Sequence, residues 1–227
     1  LSEYDSHAAF AHINEFQLSL SLWRLLNKQL VIDKLAIQGL DATLIRYADG
    51  RINIDDLLPT EDDSPTLEFD IEQIHINNTA LIFRDEKGLR NYVLSSLNLT
   101  ANEITNTSLN NLKLHVLGGT KLFKENDSNH VEAQLTIPNL QFSANHIASD
   151  QINLIAKVTH LENSINGAFS LSNITSASNH FTSDMMTIEL AAEKDSQIIN
   201  LFFNSPLSGD FDAQELQLSD LELNLRI

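Results

Sequence analysis

Three observations predict a mainly β fold of sequential antiparallel hairpins with one short helix near the N-terminus. Apolar and polar residues alternate along most of the 227-residue chain, giving each segment one greasy and one wet side at the strand period of two. The breaks between segments are built from Asn, Asp and Ser, which hydrogen-bond to nearby backbone in turns. Helical periodicity is confined to two brief stretches.

In order, Phe16, Leu18, Leu20 and Leu22 share one parity and read as the first strand. Leu22 to Lys28 then supplies about two helical turns, with Leu22, Leu25 and Leu26 on one stripe and Trp23 beside it. If this helix plugs the end of the sheet, truncating Trp23 to Ala costs ~3 to 5 kcal/mol. Two more strands follow and end at Ala48-Asp49-Gly50, a turn in which glycine takes positive φ. Asn53 caps one further helical turn, Ile54 to Leu58, before Pro59. Thr60 to Pro65 is an acidic loop.

Parity marks later strands at Leu67, Phe69 and Ile71; at Leu112, Leu114 and Val116; at Val131, Ala133, Leu135 and Ile137; at Ile152, Leu154, Ala156 and Val158; and at Leu221, Leu223, Leu225 and Ile227. Turns fall at Glu86-Lys87-Gly88, Glu125 to Ser128, Glu162 to Ser164 and Glu193 to Ser196. Gly118-Gly119 makes a turn or a bulge. The chain reads as a single β-rich domain over residues 1–227, with 1–59 as an N-terminal strand-helix-strand module.

A degenerate unit recurs: an aliphatic residue, two polar ones, then aliphatic, polar, aliphatic. It appears at Ile32 to Ile37, Ile71 to Ile76, Leu94 to Leu99 and Ile137 to Phe142, at irregular spacing. Parity switches inside it, Ile71 being odd and Ile74 and Ile76 even. Such a switch means either a bulge within one long strand or two short strands meeting at a turn.

Composition removes several classes of function. With Lys+Arg 14 against Asp+Glu 31, the net charge of -17 opposes nucleic acid and anionic lipid surfaces. The absence of cysteine excludes disulfides, thiol catalysis and zinc-thiolate centres. No apolar run approaches the ~20 residues that span a bilayer as a helix.

Each strand has one apolar side that a helix, a second sheet, the same sheet curling over, or a ligand must cover. The helical segments are too small. At ~25 cal/mol per Å², the apolar sides of a dozen strands represent tens of kcal/mol. The sheet therefore folds over, closing into a sandwich or barrel with a plain core, or leaving an apolar trough that marks a binding surface. The candidate lining is Leu112, Leu114, Val116, Leu135, Ile137, Leu140, Phe142, Leu154, Ala156, Phe169, Ile188, Leu190, Phe202 and Leu223.

Reaction chemistry has little footing. The eight histidines are scattered singly, with no metal-ligand spacing, so metal and cofactor are both expected to be none. Asp55-Asp56 and Glu61-Asp62-Asp63 lie in a cap and an exposed loop, and nothing desolvates a carboxyl for acid-base work. Nucleophile elbows and phosphate-binding glycine loops are missing. A non-enzymatic protein is expected.

One segment says more. In Leu18 to Leu58, LSLSLWRLLNKQLVIDKLAIQGLDATLIRYADGRINIDDLL, a strand, a Trp-x-Leu-Leu helix, a strand pair, Asp-Gly and Asn-x-x-x-Leu follow one another. The order resembles the first periplasmic module of the AsmA family, with matches at Ser19, Leu20, Trp23, Leu25, Leu26, Leu30, Ile32, Leu35, Ile37, Leu44, Arg46, Asp49, Gly50, Asn53 and Leu57. A weaker echo runs from Pro206 to Leu225. The resemblance implies a long curved antiparallel sheet, β-taco-like, whose partly open groove holds phospholipid or other acyl-lipid chains for phospholipid transport or outer-membrane assembly. It also implies a periplasmic domain tethered to the bacterial inner membrane by a helix ahead of Leu1. The rival expectation is a closed β-sandwich interaction module of a cell-surface or secreted protein. Within the motif, Asp49-Gly50 and Asn53 have structural reasons and serve as fold markers.

Overall fold

The computed structural model describes residues 10–26, 30–55, 69–122, 128–143, 146–161, 163–194, 197–210 and 212–226. The chain runs β1 (Ala11–Leu20), α1 (Leu22–Leu26), β2 (Leu30–Arg46), β3 (Phe69–Asp85), β4 (Arg90–Thr105), β5 (Ser108–Leu122), β6 (Ser128–Ser143), β7 (His146–His160), β8 (Asn163–Ala177), β9 (His180–Lys194), β10 (Gln197–Asp210), β11 (Glu215–Leu218) and β12 (Glu222–Arg226). All twelve strands form one sheet in sequence order, with β11 and β12 both paired to β10 as successive pieces of the final edge.

The sheet is open. Its two ends do not pair with each other, and extensive contacts run only between neighbouring strands and between α1 and β2. A closed sandwich is thereby overturned, since among the described residues no second layer lies over either face. Surface area carries the same message: 15539 Å² is accessible on a 25.4 kDa chain, against ~10,300 Å² for a compact monomer of that mass. Among the described residues the buried apolar residues are Phe10, Val31, Ala101, Ile137 and Leu207 alone.

Three expectations about the strands change. The two strands expected between Leu30 and Arg46 are one, because Gly39, at φ 63°, makes an irregularity inside β2 rather than a hairpin turn. A Cβ there would sit 2.1 Å from the Asn14 side-chain nitrogen of β1, so a substitution must displace that side chain as well as adopt a positive φ. Secondly, β2 and β3 are parallel, the exception in an otherwise antiparallel sheet. Parallel neighbours need a crossover of a dozen residues or more, and the long segment between Arg46 and Phe69 provides it. Thirdly, α1 does not plug the sheet: it buries no residue, and Trp23 is 78% exposed. The Asp56 to Pro59 part of the cap, the Thr60 to Pro65 loop, Lys28 and Leu67 lie outside the described residues, as do Glu125 to Asp127, Glu162, Asp195-Ser196 and Ile227.

The parity switches are bulges within long strands. A line of register faults and positive-φ residues crosses the sheet, passing the Ser19/Leu20 shift of β1, Glu103 of β4, Asn111 of β5, Asn173 of β8 and the Ser205/Leu207 shift of β10. Buried serines hold it together. Ser149 Oγ donates to the carbonyls of Asn139 and Gln151, Ser183 Oγ to those of Ser172 and Met185, and Ser205 Oγ to those of Pro206 and Ser219. On neighbouring strands Asn139 Nδ2 donates to Asp150, and Asn173 Nδ2 to Asp184. Ser149, Asp150 and Asn139 recur at the same interval as Ser183, Asp184 and Asn173, so hairpins β6–β7 and β8–β9 repeat one unit.

Candidate functional site

Directly opposed residues in a ladder project to the same side of a sheet. Following these pairs from β1 to β12 gives Phe16, Ile37, Ile76, Leu99, Leu114, Leu135, Leu154, Phe169, Ile188, Phe203 and Leu223, an unbroken apolar row across the sheet. Two residues along lies another: Leu97, Val116, Ala133, Ala156, Gly167, Leu190, Leu201 and Leu225. The opposite side presents Gln17, Ala36, His75, Thr100, Lys113, Thr136, Asn153, Ser170, Thr187, Asn204 and Glu222. One face is hydrocarbon and the other is amide, hydroxyl and charge.

The predicted lining maps onto this pattern with one correction. Leu112, Leu114, Val116, Leu135, Ile137, Leu154, Ala156, Phe169, Ile188, Leu190 and Leu223 take the apolar side. Leu140 and Phe142 pair with Leu109 and Ile147 beyond the fault line, which Asn111 at φ 51° marks on β5. Phe202 belongs to the polar side, opposite Glu189 and Asn224, and Phe203 is the aromatic on the apolar side. The parity of Ile199 and Leu201 carried that signal. Sequence reading also missed the half of the face on β1 to β4, including Phe16, Ile37, Ile76, Leu99 and the Phe83–Tyr92 pair, whose rings stack with centroids 5.9 Å apart.

With no second layer among the described residues, these side chains cover chiefly one another. Leu154 remains 37% exposed, and Leu223 at the edge 60%. Near the β2 to β6 end the apolar side carries an open hollow of about 360 Å³, lined by Leu44, Leu81, Phe83, Tyr92, Val116 and Val131 among others. Gly118 deepens it, since a Cβ at that position would meet the Val93 carbonyl oxygen at 2.6 Å. A hollow of about 590 Å³ opens on the polar side over Ile155, Ala168 and Phe202, bordered by Glu189, Asn224 and Arg226. The smaller hollow continues the apolar rows, so it is the one that suits a hydrocarbon ligand.

At the rim above Leu44, Phe83 and Tyr92 the next row is Arg46, Asp85 and Arg90. Arg46 Nε donates to Asp85 Oδ1 at 2.9 Å and Nη2 to Oδ2 at 2.5 Å, and the Gly88 amide donates to Oδ1 at 2.9 Å. The Gly88 amide first, then the Arg46 guanidinium, hold the Asp85 carboxyl below its ordinary value against the opposing pull of burial.

The motif residues have structural work. Asn53 Oδ1 accepts from the Ile45 amide at 2.9 Å and Nδ2 donates to the Thr43 carbonyl at 2.9 Å. Its side chain thus occupies the edge of β2 beyond Ala42, where pairing with β1 ends. Asp49 fixes the turn by accepting from the Arg51 amide and side chain. Of the histidines, His115 and His180 pair with Glu132 and Asp210, while His7 lies outside the described residues. Among the described residues no group of three or more His, Cys, Asp or Glu is placed to hold a metal. Nor is any helix among them long and apolar enough to cross a membrane.

The family model described as "AsmA family" matches residues 1–221. The chain belongs to the AsmA family. An AsmA membership over nearly the whole chain makes this an envelope-related domain, and extends to 221 residues a likeness that sequence motifs carried over about a fifth of them. No curated protein and no solved structure matches the chain.

Proposed function

We propose that this AsmA-family domain is a non-enzymatic periplasmic holder of lipid acyl chains, serving phospholipid transport or outer-membrane assembly and tethered to the inner membrane in the full-length protein. One observation carries the reading: the eleven-residue apolar row from Phe16 to Leu223 lies on a sheet that no second layer covers among the described residues. So much contiguous apolar surface exceeds the few hundred Å² that soluble monomers usually leave in water. Acyl chains suit it because they need smooth hydrocarbon contact and no hydrogen-bond partners, and the row offers Leu, Ile and Phe alone.

The test is direct. Protein purified without detergent from a bacterial envelope fraction is extracted with organic solvent and analysed by mass spectrometry. Stoichiometric co-purifying phospholipid, displaced by an apolar fluorescent dye, is the expected outcome. A lipid-free protein that also excludes the dye would overturn the proposal.

A further inference from the structure

We propose that the rim of the apolar face at the β3–β4 turn seats the phosphate of a glycerophospholipid whose acyl chains lie in the hollow beneath. The inference rests on the acyl-binding reading above and names the head-group end of the same site.

Its basis is the order of rows on one face. Leu44, Phe83 and Tyr92 form the outermost apolar row, and the row above them, in register, is Arg46, Asp85 and Arg90. Hydrocarbon gives way to cations within one row. Arg46 and Asp85 satisfy each other. Arg90 is exposed and has no ion pair among the described residues, and the same holds for Lys87 in the turn.

Charge is arranged unevenly along the strands. At the β3–β4 turn Arg46, Lys87 and Arg90 stand beside Glu86 and beside Asp85, which Arg46 holds. Towards the other ends of the strands Asp70, Glu72, Glu103, Asp150 and Asp184 stand against Arg24 and Lys34. An anionic head group over the trough would be drawn to the first rim and repelled by the second. Arg90 and Lys87 can each donate charge-assisted hydrogen bonds to phosphate oxygens, Arg as a planar fork and Lys as a point charge.

The experiment equilibrates the full chain with dioleoyl phosphatidylglycerol vesicles or with dispersed dioleoylglycerol, which has the same acyl chains and no phosphate, and quantifies retained lipid by mass spectrometry. The wild type is expected to retain the phosphatidylglycerol about ten-fold more strongly, the scale of one charge-assisted contact. In an Arg90→Gln, Lys87→Gln double variant the preference falls to parity while diacylglycerol retention is unchanged. A Lys113→Gln, Lys157→Gln control, equal in charge change but on the polar face, keeps it. Equal retention of both lipids by the wild type, or an intact preference in the double variant, overturns the head-group assignment and leaves acyl binding standing. Retention of neither lipid overturns both. Inorganic phosphate that binds as tightly as the phospholipid overturns the lipid as the source of the anion.

Discussion

Arg46 grips Asp85 through two parallel hydrogen bonds, at 2.9 and 2.5 Å, across the parallel pair of strands β2 and β3. This clasp joins the C-terminal ends of the two strands, Arg46 being the last residue of β2 and Asp85 the last of β3. It ties the N-terminal module to the rest of the sheet at a carboxylate only 6% exposed. Because the folded state depresses the Asp85 pKa, its stabilisation is complete above about pH 4 and is lost as pH falls through the folded value. Asp85→Asn is therefore expected to lower the melting temperature at neutral pH and to flatten the acid limb of a stability profile below pH 4. Thermal melts of both proteins across that range check it, and an unchanged acid limb would assign the dependence to other carboxylates.

Leu154→Asp distinguishes an open face from a core. With Leu154 already 37% exposed, the substitution is expected to cost about 1 to 2 kcal/mol, less than full burial of a leucine would forfeit together with a buried charge. Circular dichroism should report an intact sheet while lipid retention falls. Global unfolding instead would mark this position as sealed interior.

Adjacent phenylalanines give an internal control. Phe203→Ser removes an apolar-row member opposite Ile188 and Leu223, whereas Phe202→Ser alters the polar side opposite Glu189 and Asn224. Lipid retention is expected to drop several-fold for the first and to stay at the wild-type level for the second. Equal effects would sink the two-face assignment.

Trp23→Ala should leave a denaturant melt within about 0.5 kcal/mol of wild type, as for surface substitutions generally. At 78% exposure the ring lacks the burial on which a cost of several kcal/mol depends. The variant leaves the Arg24–Asp70 ion pair, at 3.5 Å, untouched.

Ser183→Ala probes the fault line. Ser183 is 4% exposed, and its hydroxyl donates to the main-chain carbonyls of Ser172 and Met185. Its loss is expected to cost about 1 to 3 kcal/mol, the scale for leaving buried acceptors unsatisfied. Urea melts measure this, and the same change at Ser149 should match it because the two hairpins share one design.

Strand identity and which residues share a face were legible in the sequence because side-chain alternation is a local property: each Leu, Ile or Val declares its side relative to the residue two along. Local pattern also located the Asp49-Gly50 turn and the family motif. Choosing Phe202 over Phe203 shows its limit, since two consecutive aromatics carry no alternation between themselves and the signal rests on flanking Ile199 and Leu201, which the ladder partners bear out.

What tertiary structure alone decided is how the strands meet. Whether Gly39 turns the chain or kinks it depends on β1 packing against it, and whether β3 runs parallel to β2 depends on where the crossover lands. Openness is of the same kind. An apolar alternation reads identically in a sealed sandwich and in a bare sheet, because the hydrophobic effect fixes that a face must avoid water and leaves open what covers it.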